Sequence, residues 1–267
     1  MANGVFSSSR AQIPERTLRT DKWWIQPLTT FTVLVSFIIY ATFRAFENGN
    51  YFAEPLISPF YSPCLSTECV DGASLLGTPF GIIQLFGMTI SPALLILIFP
   101  LGFRMTCYYY RKAYYRSFWF SPPACAVAEP HAKYTGETRF PLIFQNAHRW
   151  FFYAGLVFNV LLTVDAVLAF RNEHKEWGHL SVGTLVLIAN ATFLWLYSLS
   201  CHTCRHTVGG RLRNFSKHPL RYKAWTIVSV LNHKHQNFAW ISLFGVAFAD
   251  FYVRQVASGA ITNFYFF

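Results

Sequence analysis

Charge is what this chain lacks. Only 13% of its residues are Asp, Glu, Lys or Arg, against about 25% in a soluble domain. The polar surface that keeps a water-soluble globule apart from its neighbours is therefore missing. Acidic residues are the scarcer sign, 12 against 22 basic, for a formal net charge of +10. The basic residues lie mostly in the gaps between apolar segments, a distribution that argues against nucleic acid as a partner. No cleavable secretory leader is expected either. The first strong apolar run begins near Pro27, too far in, and continues too long, so it reads as a membrane anchor that stays. The stretch Glu47–Pro79 contains no lysine or arginine. What the chain has in quantity is apolar: 53% of residues are hydrophobic, 19% aromatic, and the mean hydropathy is +0.30.

A spanning helix needs about 20 mainly apolar residues. Five windows supply them: Pro27–Phe46, Phe80–Phe103, Trp150–Phe170, Leu180–Ser200 and Phe238–Ala257. The expected fold is all-α, an integral membrane bundle of five transmembrane helices. It forms a single membrane domain over residues 1–267, with a cytoplasmic segment 1–26, the bundle over 27–257 and an external tail 258–267. Pro92 and Pro100 are expected to kink the second helix, since proline removes a backbone donor. Asp250 and Arg254 interrupt the fifth. Lysine and arginine set the orientation. Residues 1–26 hold four, Arg104 to Arg149 seven, the third loop two (Arg171 and Lys175) and Cys201–Asn237 seven. Eighteen of the 22 thus fall on one side, which predicts a cytoplasmic N-terminus, two cytoplasmic basic loops and an external C-terminus. The basic–aromatic loop Tyr108–Phe120 has two readings. It is an aromatic belt with positive-inside anchors, or a docking surface for a soluble partner.

The six cysteines divide in the same way. Cys64 and Cys69 fall in the acidic external loop, where either a disulfide in an oxidising compartment or two thiols would serve. Cys107, Cys125, Cys201 and Cys204 fall at the cytoplasmic ends of the helices, where structural disulfides are rare and another role is needed. The densest stretch is Cys201-His202-Thr203-Cys204-Arg205-His206. Thiolates and imidazoles together suit zinc, iron–sulfur clusters or haem. Residues three or four apart on a helix share a face, so Cys201 pairs with Cys204 and His202 with His206, and Gly209-Gly210 should end that helix. His148, which opens the third segment, and His233 and His235, which open the fifth, are expected at a similar depth. Zinc would close a four-ligand site, haem would need one histidine on each of two facing helices, and a Rieske-type centre would use two cysteines and two histidines. A quinone pocket needs an apolar slot with one or two donors, for which His148, Arg149, Trp150 and Tyr153 are suited. Arg44, Asp165 and Asp250 lie within apolar segments, where charge must face protein or water. Arg44 is expected to pair with one of the two aspartates.

Several longer stretches carry a resemblance. They are Ser58-Pro59-Phe60-Tyr61-Ser62-Pro63-Cys64, Arg111-Lys112-Ala113-Tyr114-Tyr115-Arg116, Ser121-Pro122-Pro123-Ala124-Cys125, Arg139-Phe140-Pro141-Leu142-Ile143 and Leu199-Ser200 leading into the cysteine–histidine hexapeptide. Together they resemble the single membrane-anchor subunit of a succinate dehydrogenase class known from mycobacteria and other bacteria. The similar stretches run from about Phe31 to Tyr252. The resemblance implies a multi-pass subunit of the bacterial inner (plasma) membrane. It would hold a flavoprotein subunit and an iron–sulfur subunit against the cytoplasmic face. It also implies a membrane-embedded Rieske-type [2Fe–2S] cluster in place of the ordinary haem b, passing electrons to menaquinone or ubiquinone. Two cysteines and two histidines should ligate the cluster. Cys204, His206 and His235 are the first candidates, then Cys125, Cys201 and His202, with Cys107 and His148 in reserve. A di-haem cytochrome b-type subunit and a non-redox, zinc-stabilised membrane protein are the alternatives.

Overall fold

An apolar run that must satisfy its own amides becomes a helix, because a helix pairs nearly every backbone group within itself. The computed structural model describes residues 19–82, 84–85, 88–127, 130, 138–140 and 142–267, and the chain is mostly helical. Residues 1–18 of the expected cytoplasmic segment, with Arg10 and Arg16, lie outside the described residues, as do Lys133 and Pro141. The long helices are α1 (Ile25–Glu47), α4 (His148–Leu168), α5 (Val182–Leu199) and α8 (His235–Ala257). Among the described residues, three stretches are long and apolar enough to cross a membrane: Ile25–Glu47, Ile143–Leu168 and Val182–Leu199. A fourth arises if α2 (Pro92–Thr106) and α3 (Tyr108–Phe118), bent at Cys107, form one broken span. Helix α8 has the length, 23 residues, and carries Asp250 and Arg254 near its end.

The second window is not one helix from Phe80 to Phe103. Phe80 is drawn back into the preceding loop, its N–H donating to Leu65 O at 3.1 Å and its carbonyl accepting from Thr67 N–H at 2.9 Å. A short antiparallel pair follows, β3 (Gln84–Leu85) with β4 (Met88–Thr89), matching an earlier pair, β1 (Phe52–Ala53) with β2 (Leu56–Ile57). Helix α2 starts only at Pro92, after Ser91 has turned the chain by accepting from Ala93 N–H at 3.3 Å. Proline at the first helical position loses no bond that the helix would have made, so Pro92 begins α2 rather than kinking it, and Pro100 lies inside. The stretch Tyr108–Phe120, expected as a loop, is helical over Tyr108–Phe118. Two further short helices, α6 (His202–Gly209) and α7 (Pro219–Asn232), occupy the second basic segment. Of these, α6 ends at the expected glycine pair.

The chain forms two compact units: Met1–Ile39 with Arg104–His148, and Tyr40–Phe103 with Arg149–Phe267. In the first, the Phe31 ring meets Phe118 at 4.8 Å, and Arg104 donates to the Tyr110 hydroxyl at 2.7 Å. In the second, Leu56, Ala166, Ala169, Leu187, Ala191, Ala249 and Val253 form a buried core. Four of those seven are alanines, and small side chains let helices approach closely where the surrounding lipid is as apolar as the core.

The second unit also answers for its intramembrane charges. Arg44 and Asp250 are both fully buried. The guanidinium Nε donates to Asp250 Oδ2 at 2.8 Å and Nη2 to Oδ1 at 3.1 Å. Tyr40 donates to the same carboxylate at 2.5 Å, and so does the Ser58 hydroxyl. The remaining guanidinium protons go to Glu47 and to the carbonyls of Gly49 at 3.1 Å and Asn50 at 3.3 Å. Arg254 then donates to Glu47 through Nη2 and Nε, at 2.9 and 3.0 Å. Two positive and two negative groups thus neutralise one another and tie α1, the first loop and α8 together. Of the two aspartates considered for Arg44, the partner is Asp250. Asp165 accepts instead from the Ser62 hydroxyl. The first loop is further closed by a Cys64–Cys69 disulfide and by Tyr51 stacked on Tyr61 at 4.1 Å.

Candidate functional site

Helix α5 ends at Leu199, and the chain turns through Ser200 and Cys201 before α6 begins. Ser200 Oγ donates to Tyr197 O at 3.0 Å, and Asn232 Nδ2 donates to Ser200 O at 2.7 Å. These bonds separate α6 from α5, so the hexapeptide does not close the fourth segment as expected but starts a helix of its own. Cys201 takes the N-cap position. Cys201 and Cys204 stand three residues apart, both buried and outside any disulfide. Burial pushes the Cys204 thiol pKa up.

His202 and His206 lie one turn apart, exposed, with their Nε2 atoms 3.0 Å from each other and their rings edge to face at 4.5 Å. Burial, followed by the neighbouring His206 and Arg205, holds the His202 pKa below its usual value, which favours the neutral, ligating form of the ring. Two nitrogens that each stand about 2.0–2.1 Å from one ion are about 3 Å apart, so this spacing suits two ligands on a single metal.

His235 opens α8, ahead of the apolar window that begins at Phe238. Its Nδ1 lies 2.7 Å from Ser200 Oγ, and its ring stacks on Tyr197 at 5.2 Å. Since the Ser200 proton goes to Tyr197 O, the His235 Nδ1–H is assigned as the donor to Ser200 Oγ. Burial, and then the proximity of His202, push its pKa down to about 4.

The other predicted residues are placed as follows. Cys107 is buried at the break between α2 and α3, and Cys125 is exposed, its carbonyl accepting from Arg19 Nη1 at 2.9 Å. His148 Nδ1 lies 2.9 Å from Thr106 Oγ1. All three belong to the first compact unit. Arg149 and Tyr153 belong to the second: Arg149 is exposed, and the Tyr153 hydroxyl lies 3.5 Å from Thr207 Oγ1. Among the described residues, no three of His, Cys, Asp and Glu converge as a metal site. By donor type, α6 fits a mixed cluster, with two thiols and two imidazoles. By position, the imidazole pair is the part that converges. Sequence reasoning missed Tyr197, Ser200 and Asn232, which seat His235 and the turn. Tyr197, Cys201 and Cys204 recur at helical spacing, the one signal that could have pointed to them.

The family model for the actinobacterial succinate dehydrogenase subunit SdhC matches residues 25–259. A chain of the Mycobacterium smegmatis Sdh1 complex in the apo form is 55% identical, with a TM-score of 0.88, over 99% of this chain and 98% of that one. Comparison with curated proteins gives no match. The family match runs from the first residue of α1 to two residues past the end of α8 and takes in the whole hexapeptide. This chain therefore belongs to the actinobacterial SdhC family, the membrane subunits of succinate dehydrogenase complexes.

Proposed function

We propose that this chain anchors a succinate dehydrogenase in the bacterial plasma membrane and forms the electron route from its soluble iron–sulfur subunit to a membrane quinone, with α6 as the seat of a Rieske-type [2Fe–2S] cluster. The carrying observation is the convergence of the His202 and His206 Nε2 atoms at 3.0 Å, on a helix that also presents two buried thiols. When bound, such a cluster supplies a one-electron relay at about −150 to +300 mV, against about −400 mV for plant-type ferredoxins.

The chain's own residues have separate tasks in this reading. His202 and His206 would hold the cluster through neutral imidazoles. Cys201 and Cys204 would hold it as thiolates, as coordinating thiols do. His235 holds the base of α6 through Ser200 and is the further imidazole in reach of that turn. His148, Arg149 and Tyr153, on the first two turns of α4, supply donors for the quinone carbonyls. From Phe238 on, α8 is the fifth span, its charges neutralised by Arg44 and Glu47. The basic segments, and with them α6, face the cytoplasm, where the flavoprotein and iron–sulfur subunits dock. Succinate oxidation itself belongs to the flavin of the partner subunit.

Alanine at both His202 and His206 should abolish quinone reduction by the assembled complex, while succinate oxidation with an artificial acceptor persists. Quinone reduction at the wild-type rate rejects the imidazole pair. A sharp reduced α-band in the optical spectrum would point to haem b instead.

A further inference from the structure

From Trp177 to Ala249 the chain has no acidic residue, while Cys201–Asn237 within that stretch carries seven basic ones. Helices α6 and α7 pack together there, and the packing uses one face of α7. Trp225 approaches so closely that a Cβ on Gly209 would stand 2.3 Å from its Cδ1. The Arg205 guanidinium lies over the same ring at 4.9 Å. Arg221 donates to Val208 O at 2.9 Å and Gly210 O at 3.2 Å, closing the end of α6. Val228 is buried.

Among the described residues, the other face of α7 is left exposed. Leu220 is 82% exposed, Ile227 55% and Val230 63%, and their spacing puts them on one stripe. Lys223 falls in the same stripe. The turn leading into α7 adds Arg211, Arg213 and Lys217, all exposed. Unlike Arg205 and Arg221, these four have no protein partner among the described residues. Only His233 and Lys234 separate α7 from α8, so α7 cannot leave the depth at which α8 begins. Phe215, Tyr222 and Trp225 gather at its start, with ring centroids 5.4 to 6.1 Å apart, and amphipathic aromatics favour the headgroup level.

An apolar stripe edged with uncompensated lysine and arginine is the pattern of a helix lying in the interface plane, and clustered basic residues there select anionic headgroups. We propose that α7 lies in the headgroup layer of the cytoplasmic leaflet and binds anionic phospholipid through Arg211, Arg213, Lys217 and Lys223. Leu220, Ile227 and Val230 enter the acyl boundary. The two-residue link to α8 ties α7 to a membrane depth, where lipid meets both the charge and the apolar stripe beside it. The leaflet rests on the orientation proposed above; the lipid contact does not.

The test uses the full chain in its complex, reconstituted in phosphatidylcholine bilayers containing either spin-labelled phosphatidylglycerol or spin-labelled phosphatidylcholine. The proposal predicts more motional restriction of phosphatidylglycerol, weakening as salt is raised. Replacing Arg211, Arg213, Lys217 and Lys223 by glutamine should lower that preference at least about fivefold, the effect of a single basic residue near an anionic surface. Equal restriction of the two lipids by the wild-type protein overturns the proposal without any variant. So does an undiminished preference in a folded fourfold variant. Loss of partner subunits from that variant, with no lipid preference in the wild type, would make the surface a protein dock and reject the lipid reading. Sidedness is scored separately, by labelling a Lys217→Cys reporter in sealed right-side-out vesicles. Labelling from outside rejects the cytoplasmic leaflet.

Discussion

Arg44 donates to Asp250, Glu47 and two backbone carbonyls, so no part of its buried charge is left to the apolar surroundings. Breaking such a pair from one side strands the other charge. Arg44→Met should therefore cost about 3–5 kcal/mol, seen as a low yield of folded protein and a depressed Tm in detergent. The double change Arg44→Met with Asp250→Leu should recover part of this, because neither charge then remains uncompensated. Wild-type yield from Arg44→Met alone would contradict the network. This pairing was legible in the sequence, since three charges in apolar segments had to meet something. His235 makes a second case at this scale. Its pKa falls from 6.5 to about 4 in the folded chain, so the unfolded chain binds the proton more readily. Its contribution to stability is then complete above pH 6.5 and is lost as pH falls toward 4. Thermal melts in detergent from pH 7.5 to 4.5 should show this decline, and His235→Asn should flatten it. Equal slopes for the two proteins would contradict the assignment.

Short helices were the elements that hydropathy could not show. Tyr108–Phe118 and Pro219–Asn232 are helical, but their surfaces carry Tyr, Lys and Arg, so a scan for apolar runs passes over them. Pro219 directly after His218 was a start signal available to a closer reading. The opposite error occurred at Phe80–Phe103, where continuous hydropathy concealed the return of Phe80 to the loop and the start at Pro92. The ends of α1, α4, α5 and α8 lie within a few residues of the apolar windows because length and composition set them. Close approach, in contrast, is visible only in three dimensions. A Cβ on Gly102 would stand 2.3 Å from Phe151 Cε1, so the Phe151 ring must be displaced if Gly102 becomes leucine. The expected loss is about 1–3 kcal/mol, measured as a fall in Tm. Gly81→Ala, with nothing within 4 Å, serves as the control and should melt with the wild type.

At the scale of the whole molecule, scarce charge identified a membrane protein, and the match over residues 25–259 makes it a membrane subunit of a succinate dehydrogenase complex. The ligand set was the least legible part. Spacing put His202 and His206 on one face, where their Nε2 atoms do meet, and set Cys201 three residues from Cys204. It could not show that Ser200 would break the helix between them and α5, or that Tyr197 would take up the His235 ring. Electron paramagnetic resonance on the reduced complex tests the central claim, a mixed-ligand cluster on α6, most directly. The account predicts a signal with the low average g value of a Rieske-type centre and nitrogen couplings from two imidazoles, both absent when His202 and His206 are alanine. A spectrum explained wholly by the clusters of the soluble subunits, and unchanged in that variant, would contradict it.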